Sequence, residues 1–302
     1  MLNMNKLGEL KIVMGMLMIR YADRVPDVKK VINDLIRENV IQSENDISND
    51  HIAFRTMGVE YLGIASLEKI FMHYGYTKKD HYSFEGKKLD AYWYAPPSPE
   101  FPRIFISELR VKELSSLAQQ IIYSYTNEVK SDPVDALDMN DPVEVGNFLH
   151  TSLWRIPTKS DYLSLLNESE YAAWVIYNRY YLNHYTISVH YLKDGFNTLE
   201  AFNDFLERNE IKLNDAGGKI KVSPDGLLLQ SSTVAQVIEA SFAGDEKYTI
   251  AGSYVEFAER KVLPQFATIP REERKREHLR EGFEANNADK IFESTFTSQI
   301  NK

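Results

Sequence analysis

The sequence predicts an α+β protein in which one β-α-β-β-β unit occurs twice, and three observations lead to that fold class. Strand-like and helix-like segments follow one another in the same order at residues 46–111 and 181–262. Each copy has a histidine on its first strand and a glutamate on its last strand. The segments before and between the copies, 1–45 and 112–180, show the apolar spacing of helices. One local match would be noise, but the same order with matched polar residues at both ends indicates a duplication.

Residues 1–45 are predicted to form a helical cover of two helices, at about 5–22 and about 26–39. Pro26 suits the first turn of the second helix, where a backbone N–H is not needed. The apolar run from Leu10 to Ile19 contains a lysine and is too short to span a bilayer. We therefore expect a cytoplasmic protein without membrane contact.

The first unit, residues 46–111, is predicted to begin with a buried strand at 49–56. Side chains alternate along a strand, so His51, Ala53 and Arg55 share one face. An imidazole and a guanidinium that both point into a core need a reason, and a metal ligand beside an anion-binding group would supply one. The rest of the unit is predicted to be a helix at 66–75 and strands at 82–84, 88–94 and 103–111.

Residues 112–180 are predicted to be a mostly helical insertion, and residues 263–302 a tail that packs on the sheet. The second unit, residues 181–262, is predicted to contain a helix at 198–209, a further pairing segment at 234–242, and strands at 183–191, 219–222, 227–231 and 248–260. We expect all these parts to form one catalytic domain over residues 1–302.

The composition is that of an ordinary globular protein, with 43% hydrophobic and 26% charged residues in 302. The net charge of −9 argues against a nucleic-acid or anionic-membrane partner, because either would need a basic surface. The chain has no cysteine, which excludes disulfides, thiolate metal sites and thiol nucleophiles. Histidine, aspartate and glutamate are therefore the available metal ligands. The oligomeric state is left open by these data.

The repeated unit resembles the vicinal oxygen chelate superfamily, in which paired βαβββ units form a half-open β cup with a divalent metal on its concave floor. In the dioxygenase branch of that superfamily, the ligands come from the first strands of two units and the last strand of the second. The resemblance therefore implies His51, His184 and Glu256 as metal ligands. Two histidines and one carboxylate form the ligand set of non-haem iron(II) oxygenases, with three adjacent positions left for substrate and O₂.

Two further residues remain open as ligands. His190 lies on the same predicted strand face as His184 and is the fallback histidine. Glu108 closes the first unit as Glu256 closes the second, so it is the rival carboxylate.

Four local motifs, at residues 50–56, 183–186, 254–260 and 287–295, together resemble the family of 2-oxoadipate dioxygenase/decarboxylases. That resemblance implies an Fe(II) enzyme that uses O₂ to convert 2-oxoadipate into 2-hydroxyglutarate and CO₂ in lysine degradation. It puts the metal on the same two histidines and glutamate, and it implies Arg55 as the catalytic, substrate-binding arginine.

Arg55 lies four residues beyond His51, which is about 13 Å along a strand at ~3.3 Å per residue. A 2-oxo acid that chelates the metal would extend its distal carboxylate towards Arg55, which can bind it bidentately. A structural salt bridge from Arg55 to Glu108 or Glu256 is the competing interpretation. Ser232 is a candidate for a hydrogen bond to substrate, although turn chemistry explains it and the adjacent hydroxyl residues equally well.

Two other functions remain open at the level of sequence. One is a non-redox metal-dependent isomerase, lyase or hydrolase of the same cup fold, with Glu108 as an added ligand. The other is a metal-free protein that sequesters a ligand.

Overall fold

A computed structural model of the chain describes residues 4–302. The first three residues of the predicted helical cover lie outside that range. Helices α1 (Met4–Arg24) and α2 (Pro26–Arg37) form the remainder of it, with an apolar stripe of each buried. Within residues 4–302, none of the helices combines the length and apolar character that a bilayer crossing requires.

The first unit has the predicted elements with small shifts at their ends. It consists of β1 (Asn49–Met57), α3 (Ile64–His73), β2 (Thr77–Phe84), β3 (Leu89–Ala95) and β4 (Arg103–Leu109). The predicted insertion holds four α-helices in the described chain: α4 (Ser116–Thr126), α5 (Pro142–Phe148), α6 (Lys159–Glu168) and α7 (Glu170–Asn178).

The second unit repeats the order and adds a hairpin. It consists of β5 (His184–Ser188), α8 (Leu199–Arg208), β6 (Lys221–Val222), β7 (Leu228–Ser232), the hairpin β8 (Val237–Ser241) and β9 (Lys247–Ala251), and β10 (Tyr254–Arg260). The prediction of one long strand over 248–260 is wrong, because the chain breaks at Gly252. A Cβ atom there would lie 3.1 Å from the Gln236 carbonyl oxygen, so the close approach that separates β9 from β10 favours glycine.

Eight strands of the described chain form one sheet in the order β2-β3-β4-β1-β5-β10-β7-β6. In each unit the first strand pairs in parallel with the last, and the third and second strands follow outward. β1 and β5 pair antiparallel and join the two units at the centre. This arrangement confirms the predicted fold class, a duplicated βαβββ cup.

The two faces of the cup are covered differently. Helices α3 and α8 cover the outer face, where Phe54 of β1 packs on Phe71 of α3 and Phe257 of β10 packs on Phe202 of α8. The inner face carries the residues that alternate with these phenylalanines, including His51 and Glu256. The tail places α9 (Ala285–Phe292) against β2, β6 and β7 and ends in α10 (Thr297–Ile300). The inner face is therefore roofed by the tail.

Candidate metal centre and active site

Three buried side chains from three central strands converge on the floor of the cup. His51 comes from β1, His184 from β5 and Glu256 from β10, and one ligand atom of each lies within 4.8 Å of the others. Glu256 Oε2 is 3.1 Å from His184 Nε2 and 3.5 Å from His51 Nε2. Among residues 4–302 this is the one group of three or more histidine and carboxylate side chains with such spacing.

The opposite nitrogen of each histidine ring is held by the residue before it in sequence. His51 Nδ1 lies 2.9 Å from Asp50 Oδ1, and His184 Nδ1 lies 3.0 Å from Asn183 Oδ1. An acceptor at Nδ1 fixes the hydrogen there and leaves a lone pair on Nε2 of the neutral ring. Lone pairs of two Nε2 atoms and a carboxylate then point at one another, which is the arrangement a divalent cation satisfies.

The ionisation of these groups follows from their burial. Burial lowers the pKa of His184 to about 4, in spite of the nearby Glu256 carboxylate. For His51 burial acts in the same direction, but the charge of Glu256 and the hydrogen bond with Asp50 prevail and raise the pKa. Burial by itself would raise the pKa of Glu256, yet the two imidazoles hold it well below its usual range. The carboxylate is thus ionised, as a metal ligand must be.

Asp50 is itself held by two arginines. Arg260 donates Nε to Asp50 Oδ2 at 2.6 Å and Nη2 to Oδ1 at 2.9 Å, and Arg103 Nη1 donates to Oδ2 at 3.2 Å. Although burial opposes it, these charges keep the pKa of Asp50 well below its usual range. The result is a fixed arginine–carboxylate–histidine chain that orients His51.

Gln230 orients the Glu256 carboxylate in the same way. Its Nε2 donates to Glu256 Oε1 at 2.7 Å, which leaves Oε2 facing the histidines. Its own oxygen accepts a hydrogen bond of 3.1 Å from Asn287 Nδ2 on α9. The tail is therefore connected to a metal-site side chain through one glutamine.

Arg55 lies on the inner face, two strand positions beyond Ala53, and is 1% exposed. It donates to Thr295 Oγ1 at 2.9 Å and to the Phe292 carbonyl at 3.1 Å, while its Nε has no partner within the described chain. Aromatic rings surround the guanidinium at 5.2–5.5 Å. No carboxylate of residues 4–302 forms an ion pair with it, so the alternative of a salt bridge to Glu108 or Glu256 is wrong.

A cavity lies between these ligands and the tail. The two histidines, Glu256, Gln230 and Tyr254 line one side, and Phe105, Phe283, Ile291 and Phe292 form an apolar wall. The cavity volume is about 20 Å³, enough for about one water molecule. In this conformation the tail leaves no room for a six-carbon acid.

The predicted equivalence of Glu108 and Glu256 is wrong. In the parallel pairing of first and last strands, His51 lies opposite Arg103 in the first unit and His184 lies opposite Tyr254 in the second. Arg103 and Tyr254 are therefore equivalent, and so are Phe105 and Glu256, two residues further along the last strands. By the same register, Glu108 is equivalent to Glu259.

Both of these glutamates cap helices on the outer face. Glu108 Oε2 accepts from the Ile64 N–H at 2.6 Å at the start of α3, and Glu259 Oε2 accepts from the Leu199 N–H at 2.8 Å at the start of α8. Each carboxylate thereby satisfies an open N–H group at a helix N-terminus. Glu108 is not available to the metal site, and the non-redox alternative loses the residue on which it was based.

His190 is also separate from the three converging side chains. The strand over 183–191 ends at Ser188, and His190 lies in a 3₁₀ turn, where its Nδ1 accepts from the Arg260 N–H at 3.2 Å. Ser232 does lie beside Glu256 on the inner face. Its hydroxyl is 2.8 Å from Ser294 Oγ of the tail. A role for Ser232 in binding substrate stays a prediction.

The sequence-based search did not find Asp50, Gln230, Tyr254 and Arg260. The sequence does contain a signal for Asp50, because Asp50-His51 and Asn183-His184 each place a hydrogen-bond acceptor directly before a repeated histidine. Gln230 and Arg260 gave no comparable signal, since their partners are 26 and 210 residues away in the chain.

The duplicated cup, with two histidines and a carboxylate converging on its floor, defines a protein of the vicinal-oxygen-chelate class with a site suited to a divalent metal. The sequence profile of the family described as 2-oxoadipate dioxygenase/decarboxylase matches residues 13–269. The chain therefore belongs to the 2-oxoadipate dioxygenase/decarboxylase family, as its motifs indicated, and it is an enzyme.

The relatives agree with this assignment. The chloroplastic 2-oxoadipate dioxygenase/decarboxylase of Arabidopsis thaliana is 44% identical over 301 residues, covering 96% of this chain and 78% of that protein. The chloroplastic/amyloplastic enzyme of Oryza sativa subsp. japonica is 43% identical over 292 residues, covering 93% and 77%. The crystal structure of hydroxyglutarate synthase from Oryza sativa, in complex with 2-oxoadipate, is 41% identical and superimposes with a TM-score of 0.88, covering 99% of this chain and 95% of that one.

The names of the two plant relatives contradict one expectation. Both are named for plastids, chloroplastic in one case and chloroplastic/amyloplastic in the other. The prediction of a cytoplasmic protein, which depended on composition and on the short apolar run near the start, is therefore wrong. The amino-acid composition states which side chains are present and does not specify a subcellular compartment.

Proposed function

We propose that this chain is an iron(II)-dependent oxygenase that converts 2-oxoadipate and O₂ into 2-hydroxyglutarate and CO₂, as a step of lysine degradation. Family membership supports the reaction, and the site supports the metal, because two imidazoles and an ionised carboxylate suit iron(II). We further propose one catalytic domain over residues 1–302, with the helical parts and the tail as supports of the cup.

The reaction balances with these reactants alone. The bond between C1 and C2 of 2-oxoadipate breaks, and C1 leaves as CO₂. One oxygen atom of O₂ completes a carboxylate at the former keto carbon, and the other enters a C–H bond of the next carbon as a hydroxyl. Decarboxylation and hydroxylation each supply two of the four electrons that O₂ takes up. Bound iron would supply the redox chemistry by which O₂ reacts.

The protein's own residues have separate tasks in this proposal. His51, His184 and Glu256 hold the metal from one side and leave the other side open to the cavity. Asp50 keeps the hydrogen of His51 on Nδ1, and Gln230 keeps Glu256 Oε2 turned inward. The apolar wall and the tail exclude bulk water from the reacting atoms.

The observation that carries the proposal is the unpaired charge of Arg55. A guanidinium buried without a carboxylate is unfavourable unless an anion binds there. Arg55 is on the strand face of His51, with only the small side chain of Ala53 between them. The distal carboxylate of 2-oxoadipate would take over the donors now held by Thr295 and the Phe292 carbonyl. Because the cavity is small, we expect the segment around these two residues to shift when substrate binds.

The test is anaerobic reconstitution with Fe(II), followed by addition of O₂ and a 2-oxo acid. We expect O₂ uptake, CO₂ release and 2-hydroxyglutarate in equal amounts with 2-oxoadipate, and less turnover with the five- and seven-carbon diacids. Protein loaded with Zn(II) is the matched control and should be inactive. Turnover without O₂, or no CO₂ from any of the three diacids, would contradict the proposal.

A further inference from the structure

The hydroxyl of Tyr254 is a buried polar group in the metal cavity that makes no hydrogen bond within the described chain. Tyr254 is the first residue of β10 and pairs with His184 across the sheet. Its ring stacks on the His184 imidazole, with 4.8 Å between the ring centroids and 30° between the planes. The side chain is fully buried, so bulk solvent does not reach the hydroxyl. A buried hydroxyl without a partner is unfavourable and calls for an explanation.

Arg55 offers a matching unpartnered group beside it. The Arg55 Nε is also buried without a hydrogen bond, and the Arg55 charge acts on the Tyr254 hydroxyl. The guanidinium lies close enough to the hydroxyl oxygen for a weak hydrogen bond of poor geometry, but no atom of residues 4–302 accepts the hydrogen of the hydroxyl. A tyrosine hydroxyl carries its hydrogen at neutral pH, so this one can donate to an acceptor. Two donors thus lie together with no acceptor between them.

We propose that the Tyr254 hydroxyl and the Arg55 guanidinium together bind the distal carboxylate of the 2-oxo diacid. A carboxylate has two oxygens and can accept from both residues at once, which satisfies both open donors. Tyr254 thereby connects the metal site to the specificity site, since its ring packs on His184 and its hydroxyl reaches the region of Arg55. The inference depends on the proposed function, because it assigns a subsite to that same substrate.

The test compares two acids of equal length on the Fe(II)-loaded protein without O₂. These are 2-oxoadipate and 2-oxohexanoate, which lacks the distal carboxylate. Calorimetric titration should show that Tyr254→Phe weakens binding of 2-oxoadipate about tenfold or more, because a hydrogen bond to a charged group is lost. Binding of 2-oxohexanoate should change by less than about twofold. With O₂ present, KM for 2-oxoadipate should rise more than kcat falls.

Thermal unfolding of the substrate-free protein separates this role from a structural one. Tyr254→Phe removes a hydroxyl without a partner, so its Tm should be unchanged or higher. Tyr76→Phe is the matched control, because the Tyr76 hydroxyl is buried and donates to the Pro102 carbonyl at 3.0 Å. It should lower Tm and leave the ratio of the two affinities as in the wild type.

Several results would overturn the inference. One is that Tyr254→Phe weakens the binding of both acids equally, and another is that it leaves the binding of 2-oxoadipate unchanged. The third is that Tyr254→Phe does not fold, which would mean that the hydroxyl has a structural partner. Failure of the proposed function would look different, because the wild-type protein itself would release no CO₂ from 2-oxoadipate.

Discussion

Replacing Arg55 by methionine should separate substrate recognition from stability. In the substrate-free protein the change removes hydrogen bonds to Thr295 Oγ1 and the Phe292 carbonyl, each worth roughly 1–3 kcal/mol for a charged donor. It also removes a buried charge without a carboxylate partner, whose desolvation costs about several kcal/mol. The two effects offset each other. We expect the free energy of unfolding to fall by no more than about 1 kcal/mol, or to rise.

Binding should respond much more strongly than stability. Removing one partner of a buried, hydrogen-bonded charge pair costs about 2–5 kcal/mol, which corresponds to a rise in Kd for 2-oxoadipate of about 30-fold to several thousand-fold. The monoacid 2-oxohexanoate has no distal carboxylate to lose, so its Kd should stay within about twofold of the wild-type value. Calorimetric titration of the anaerobic Fe(II) protein with both acids measures the difference, and metal content checks that the site is intact.

Arg179→Met is the matched control for this experiment. Arg179 is also buried and pairs with no carboxylate of residues 4–302, but it donates to the Trp154 and Tyr177 carbonyls and follows α7, outside the strands that carry the two histidines and Glu256. Its replacement should lower stability and leave the preference for the diacid unchanged. The reasoning about Arg55 is refuted if Arg55→Met weakens the binding of both acids equally, or if the Arg55→Met protein binds 2-oxoadipate as well as the wild type does.

Three further predictions concern the metal site and the helix caps. The raised pKa of His51 favours its protonated form, and a metal can bind His51 only after that proton leaves. The metal content measured after dialysis should therefore fall as the pH is lowered towards about 6 and recover at higher pH. A metal content that does not change with pH would contradict this prediction. Gln230→Leu removes the hydrogen bond that orients Glu256, and chelator competition should show metal affinity about 10- to 100-fold lower, whereas unchanged affinity would rule out that role. Glu108→Ala and Glu259→Ala should each lower the free energy of unfolding, measured with denaturant, by about 1 kcal/mol and leave the metal content unchanged. Loss of metal from the Glu108→Ala protein would show that Glu108 is a metal ligand after all.

The two units have diverged at equivalent positions to make one site. Each unit has a histidine on its first strand and a glutamate that caps its helix. The inner-face position that is Glu256 in the second unit is Phe105 in the first, so one unit supplies the carboxylate and the other an apolar wall. Arg55 has Ser188 as its equivalent, and so the first unit alone carries the guanidinium proposed to bind the substrate carboxylate.

The sequence by itself determined the duplicated fold and the inner-face residues His51, Arg55, His184 and Glu256. Strand alternation and the order of elements are local properties that can be read along the chain, and the family motifs fall on the same residues. Their roles in metal and substrate binding remain predictions. The same local reading was wrong for Glu108, because equivalence between units depends on register, which is set by pairing between distant strands.

Only the tertiary structure decided what surrounds those residues. The ion pair of Asp50 with Arg260 joins positions 210 residues apart, and the contact of Arg55 with Thr295 joins positions 240 apart. Such contacts have no periodicity or spacing in the sequence, because they arise when the tail folds back over the cup. The absence of a carboxylate beside Arg55 and of an acceptor for the Tyr254 hydroxyl, among residues 4–302, comes from the same closed packing, and the proposed anion-binding end of the site depends on it.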